Sequence, residues 1–127
     1  MRKFFLTLVG CWFIAAITSP VFAIPTFKIA FIERYGSNPE IKKLANDMGC
    51  NVCHFGKNEK KNRNDYGRAL AELLDRDDFK GDRLKAEPEK VKKELDEAFK
   101  KVESMKATDG TTFGERLKAG KAPGTPE

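Results

Sequence analysis

The segment Cys50-Asn51-Val52-Cys53-His54 gathers the most reactive side chains of the chain. Two thiols three positions apart, followed at once by an imidazole, fit the C-x-x-C-H spacing by which haem is attached covalently. Two such thiols can reach the two vinyl groups of one macrocycle and form thioethers, and the adjacent imidazole is then held beneath the iron as an axial ligand. One covalent haem c with its iron is the expected cofactor. Cys50 and Cys53 would attach it, His54 would bind the metal, and Phe55 would pack beside it.

The same residues have other readings. A zinc site wants four ligands, commonly a second Cys or His pair. After residue 23 the chain has no further cysteine, and His54 is its only histidine. A thioredoxin-like motif follows a strand in a βαβ setting, whereas this one follows a helical pattern. A plain disulfide between Cys50 and Cys53 would make His54 a coincidence. The sequence contains no Gly-rich phosphate loop, no carboxylate pair of defined spacing, and no histidine left over for a hydrolytic triad.

The 127 residues suggest one domain. Residues 1–23 read as a signal peptide. Arg2 and Lys3 form its basic start, Phe4 to Ile17 its apolar stretch, and Val21-Phe22-Ala23 its cleavage site. Leu8-Val9-Gly10-Cys11 also resembles a lipoprotein box, so membrane association is expected only if Cys11 is lipidated or the leader stays uncleaved. Each route places the domain outside the cytoplasm, in the periplasm or an equivalent compartment. From Ile24 onward the chain holds 22 basic and 19 acidic residues, a net +3. That balance does not point to nucleic acid. Only twenty of these 104 residues are Leu, Ile, Val or Phe, close to the composition at which chains fail to fold. A bound macrocycle would supply the missing apolar mass.

The elements that must position the motif are helical. Ile24 to Gly36 carries Phe27, Phe31, Ile32 and Tyr35 at helical spacing, although Phe27, Ile29 and Phe31 also alternate as in a strand. In the next segment Asn38 can cap, Pro39 suits the first turn and Glu40 favours the dipole. Ile41, Leu44, Ala45 and Met48 share one face there, and Gly49 ends the helix immediately before the motif. Gly56 to Asn64 reads as a basic loop. Asp65 can cap a helix with Tyr66, Leu70, Leu73 and Leu74 on one face, and Arg76 to Gly81 reads as a turn. Pro88 opens the longest helix, striped by Val91, Leu95, Ala98, Phe99, Val102 and Met105. Thr112 and Glu115 have capping-box spacing before a short last helix that stops at Gly120. Residues 121–127 read as a disordered tail.

A leader, an amphipathic helix running into C-x-x-C-H and further helices afterwards resemble a monohaem class I cytochrome c. The resemblance rests on that pentapeptide and on a loose layout from Asn38 to about Lys121. It departs at Phe55, where the family often has glycine. It implies an all-α fold, a small bundle of four to five helices over residues 24–120 around one haem, acting as a single-electron carrier. Such a protein is not an enzyme. The family usually completes the iron with a methionine thioether. With a single histidine, bis-histidine ligation within the chain is excluded. Met105, 51 residues beyond His54, is the candidate sixth ligand; as a stripe residue it could equally be core. Met48 is poorly placed for that role. If Met105 does not bind, the iron is open, and a haem sensor or peroxidase-like protein becomes the alternative. A secreted, haem-free interaction domain with a disulfide is the other. Lys57, Lys60, Lys61 and Arg63 could form a collar that steers an acidic redox partner, or simply a solvated loop.

Overall fold

The structure, a computed structural model, describes residues 26–56, 61–79 and 81–125. The expected leader, Cys11, Lys57 and Lys60 lie outside the described residues. Six helices and no strand are present among the described residues: α1 (Thr26–Tyr35), α2 (Pro39–Met48), α3 (Asp65–Leu73), α4 (Gly81–Ala86), α5 (Pro88–Glu103) and α6 (Phe113–Lys118). The all-α expectation therefore holds. None of these helices is long and apolar enough to cross a membrane.

Local chemistry sets most of the boundaries. The Asn38 side chain accepts the N–H groups of Glu40 and Ile41, and Pro39 occupies the first turn of α2. Gly49, with φ 55°, stops α2 in a conformation that a side chain would strain. Thr112 and Glu115 form a reciprocal capping box at α6. The ambiguous first segment is helical. Its Phe31 is buried, and α1 packs on α2 and α5, so tertiary burial decided between the two periodicities. The stretch from Arg76 to Gly81 reads as a plain turn. Instead Arg76–Phe79 forms a 3₁₀ turn and α4 follows it. Arg83 of α4 reaches the Glu94 carboxylate of α5 at 2.7 Å and lies over the Phe79 ring.

Helix α5 is the central element. It touches α1, α3, α4 and α6, and Val91, Leu95, Ala98, Phe99 and Val102 form its buried stripe. Aromatic rings make up for the shortage of aliphatic residues. Phe31, Tyr35, Tyr66, Phe99 and Phe113 meet edge-on or tilted, with centroids 4.9–6.2 Å apart. Each such ring buries roughly 150–250 Å².

Two expectations are corrected at the start of α3. Asn64, not Asp65, is the cap, accepting the Gly67 N–H. Leu73 does not join the buried face and is 39% exposed. Asp65 instead turns inward to five donors. The N–H and hydroxyl of Thr108, the N–H and hydroxyl of Thr125, and the Tyr66 N–H all point at its carboxylate, at 2.7–2.9 Å. The tail is therefore packed, not loose, as far as Thr125. Pro123 is wholly buried.

Burial by itself would raise the Asp65 carboxyl. The donors from Thr108 and Thr125 outweigh it and hold the group down to about 2. A depressed carboxylate contributes stability that is complete above its unfolded pKa, about 4, and is lost as pH falls through about 2. Asp65→Asn should lose about 1.5–3 kcal/mol at neutral pH, the worth of a hydrogen bond to a charged group. It should also show a shallower loss of stability between those two pH values. Urea unfolding at neutral pH and across the acid range measures both.

Candidate cofactor site

The motif is held in a tight turn. After Gly49 the chain makes one 3₁₀ turn through Val52, and the N–H groups of Cys53 and His54 both donate to the Cys50 carbonyl, at 3.2 and 3.1 Å. This turn keeps both sulfurs and the imidazole on one short stretch of backbone. The Cys50 side chain is exposed, Cys53 is half-buried, and the two thiols are free.

Beyond the turn the chain doubles back. Phe55 N–H donates to the Asn62 carbonyl, Asn64 N–H donates to the Cys53 carbonyl, and His54 pairs with Arg63 as an antiparallel bridge. The loop expected from Gly56 to Asn64 is thus anchored at its base. The same Asn62 carbonyl lies 3.0 Å from His54 Nδ1. A carbonyl only accepts, so Nδ1 carries the proton. An imidazole held through one nitrogen with the other unprotonated is the form that binds a metal, and such an outer hydrogen bond raises its basicity.

Asn64 is the residue that sequence reasoning missed. It closes the polar loop from Gly56 to Asn64, yet it is 3% exposed. Its amide Nδ2 donates to the Val52 carbonyl at 3.0 Å, while its Oδ1 caps α3. One side chain thus locks the motif onto the helix behind it. The signal available was the Asn64-Asp65 pair ahead of an apolar helix, in which either residue could cap. Gly67 completes the seat. A Cβ there would lie 2.1 Å from the Cys53 carbonyl oxygen, so only glycine permits this approach.

Burial pushes the Cys53 thiol up to about 12, and the neighbouring Cys50 adds to the rise. At neutral pH the Cys53 sulfur is therefore uncharged. A thiolate metal ligand or a redox-exchange cysteine needs the opposite; a thioether, neutral and apolar, suits the location. Among the described residues no group of three or more His, Cys, Asp and Glu is arranged to hold a metal ion. Cys50, Cys53 and His54 are the side chains that this turn offers to a cofactor.

The remaining expected site residues are placed as follows. Phe55 is half-buried at the base of the loop. Met105 lies just past the end of α5, half-buried against the core. Its N–H donates to the Val102 carbonyl, and its own carbonyl accepts from Phe113. Its turn and the motif meet α3 at neighbouring residues: Asn64 holds Val52, and Asp65 holds Thr108. Met48 lines a groove of about 390 Å³ on α2 together with Leu44, two residues before Cys50. Lys61 and Arg63 are exposed. No protein-family model, curated protein or solved structure matches the chain.

Replacing Gly67 by alanine should force the motif off α3. The expected cost is about 1–3 kcal/mol, the range for overpacking a tight contact. Thermal unfolding measures it.

Proposed function

We propose that the protein is an exported monohaem c-type cytochrome that carries single electrons. The observation that carries this reading is the hydrogen bond from His54 Nδ1 to the Asn62 carbonyl, which would leave Nε2 to face a metal one residue after the half-buried Cys53. The haem would supply a one-electron iron couple. The chain would do the rest. Cys50 and Cys53 would each add S–H across a vinyl group, forming one C–S and one C–H bond with no net redox change. His54 would ligate the iron, and Asn62 would keep the imidazole oriented. Asn64 and Gly67 would fix the turn that holds all three. The exposure of Cys50 would leave one macrocycle edge near solvent, where an acceptor can approach. Phe55 would cover the macrocycle beside the ligand.

Met105 is assigned the sixth position, and its thioether would raise the potential relative to bis-histidine ligation. Lys61 and Arg63, with Lys57 and Lys60, would steer an acidic redox partner into brief encounters. The leader would deliver the chain to the compartment where haem attachment is completed.

The test is expression of the full chain with cytochrome c maturation, followed by denaturation, a reduced pyridine spectrum and an intact mass. Haem should remain attached, with one macrocycle added to the Ile24–Glu127 mass. Cys50→Ser with Cys53→Ser should carry none. A wild-type chain that loses all haem on denaturation sinks the reading. Met105→Ala should keep the haem and lose the methionine-to-iron absorption band; a band that persists places the sixth ligand elsewhere.

A further inference from the structure

The chain stays on the fold after α6. Lys121 N–H donates to the Arg116 carbonyl at 3.0 Å, and Arg116 Nε donates to the Ala122 carbonyl at 2.9 Å. Pro123 is wholly buried. Thr125 then gives its N–H and its hydroxyl to the Asp65 carboxylate, both at 2.7 Å. Between Pro123 and Thr125 lies Gly124, also buried, directly against the Asn64 side chain. A Cβ on Gly124 would stand 2.2–2.6 Å from the Asn64 amide atoms. Gly124 is not in the left-handed region, so glycine is needed there for room and not for backbone freedom.

Asn64 therefore links the tail to the cysteine turn. Its Nδ2 and its N–H hold the Val52 and Cys53 carbonyls, at 3.0 and 3.1 Å, and Gly124 packs on the same amide. Cys50 is exposed, whereas Cys53 is half-buried against the core with its Cβ facing Gly67. A reagent reaches Cys50 with the turn in place. To open Cys53 fully, the turn must lift from α3, and Asn64 must let go of both carbonyls. Undocking residues 121–125 gives Asn64 the room to do so. This segment is short and Thr125 is only partly buried, so it can open locally at a free energy below that of global unfolding. It also follows the motif and every described helix in the chain, so it is synthesised after everything it closes on.

We propose that residues 121–125 form a strap that gates covalent modification of Cys53. With the strap docked, Asn64 is clamped, the turn is pinned to α3 and the Cys53 thiol is shut. With the strap undocked, Asn64 releases Val52 and Cys53, the turn lifts and the thiol is open to an electrophile. Cys50 is open in both states. A newly made chain presents both thiols until its strap docks, so modification of Cys53 comes before closure. The gate goes beyond the cytochrome reading and does not depend on it, because it concerns access to the sulfur whatever carbon becomes attached there.

The test uses the full chain made without haem and kept reduced by a phosphine. Iodoacetamide alkylates each thiol, forming a C–S bond and releasing iodide and the thiol proton, and tandem mass spectrometry follows Cys50 and Cys53 separately. In the wild type Cys50 should react faster than Cys53. Gly124→Ala wedges the strap off Asn64 with one methyl group. Thr125→Val removes the hydroxyl bond to Asp65 and keeps the N–H. Each should speed Cys53 alkylation about tenfold, the order expected for losing a hydrogen bond to a charged group, with Cys50 unchanged. Val91→Ala weakens the buried core in both strap states. It should lower the unfolding temperature and leave the Cys53 rate at the wild-type value. A Cys53 rate unchanged in either strap variant overturns the gate. So does a rate that rises as much in Val91→Ala, since only global unfolding then exposes the thiol, and so does a wild-type Cys53 as fast as Cys50. Haem attachment is read in none of these, so the cytochrome reading stands or falls separately.

Discussion

Two adjacent side chains at the start of α3, Asn64 and Asp65, tie the cysteine turn, the turn after α5 and the tail to one helix. Asn64 ties the α3 cap to the Val52 carbonyl and so to the cysteine turn. Asp65 ties α3 to the turn after α5 and to the tail, through Thr108 and Thr125. Hydrogen bonds to ionised groups stabilise by about 1.5–3 kcal/mol, more than neutral ones. In a domain of this size, whose burial is modest, two such junction residues are a large fraction of what keeps the motif in place. They also explain why the motif can be a turn. The Val52 and Cys53 carbonyls accept hydrogen bonds from Asn64 and do not need a strand or helix of their own.

The local electrostatics of the motif follow from that seating. Cys53 is seated with its backbone and Cβ against Gly67, and burial pushes its thiol up to about 12. Folding residues 62–64 back along 53–55 delivers the carbonyl that settles the His54 tautomer. A half-buried thiol beside an imidazole held through Nδ1 differs from the thiolate-rich arrangement of a zinc or disulfide-exchange centre. The contrast comes from backbone packing, because the residue types alone serve all three chemistries.

The core is built differently from what the composition suggested. Twenty aliphatic and phenylalanine residues from Ile24 onward looked insufficient without a macrocycle. The described residues nevertheless close a core, because five rings on α1, α3, α5 and α6 interlock and α5 offers a continuous stripe. Tyr66 sits wholly buried in this cluster.

Local signals were legible wherever a residue type answers to its own neighbours. Asn38-Pro39-Glu40 marked the start of α2, Gly49 its end, and Thr112 with Glu115 the start of α6, since caps and positive φ are decided within a few residues. The Val91-to-Val102 stripe likewise announced α5. The C-x-x-C-H spacing by itself named the candidate attachment and ligand residues. Where two residues were locally equivalent, the sequence could not choose. Asn64 and Asp65 can both cap, and only the positions of Val52, Thr108 and Thr125 made one a clamp and the other a clasp. The tail read as loose because Pro and Gly form no periodic pattern, yet Asp65 and the core captured it. The sequence by itself determined the helices and the reactive pentapeptide, because both depend on neighbours along the chain. Only the tertiary structure decided the His54 tautomer, the neutral Cys53 and the aromatic line from Tyr66 to Tyr35, because each depends on groups distant in sequence brought within hydrogen-bond or van der Waals range.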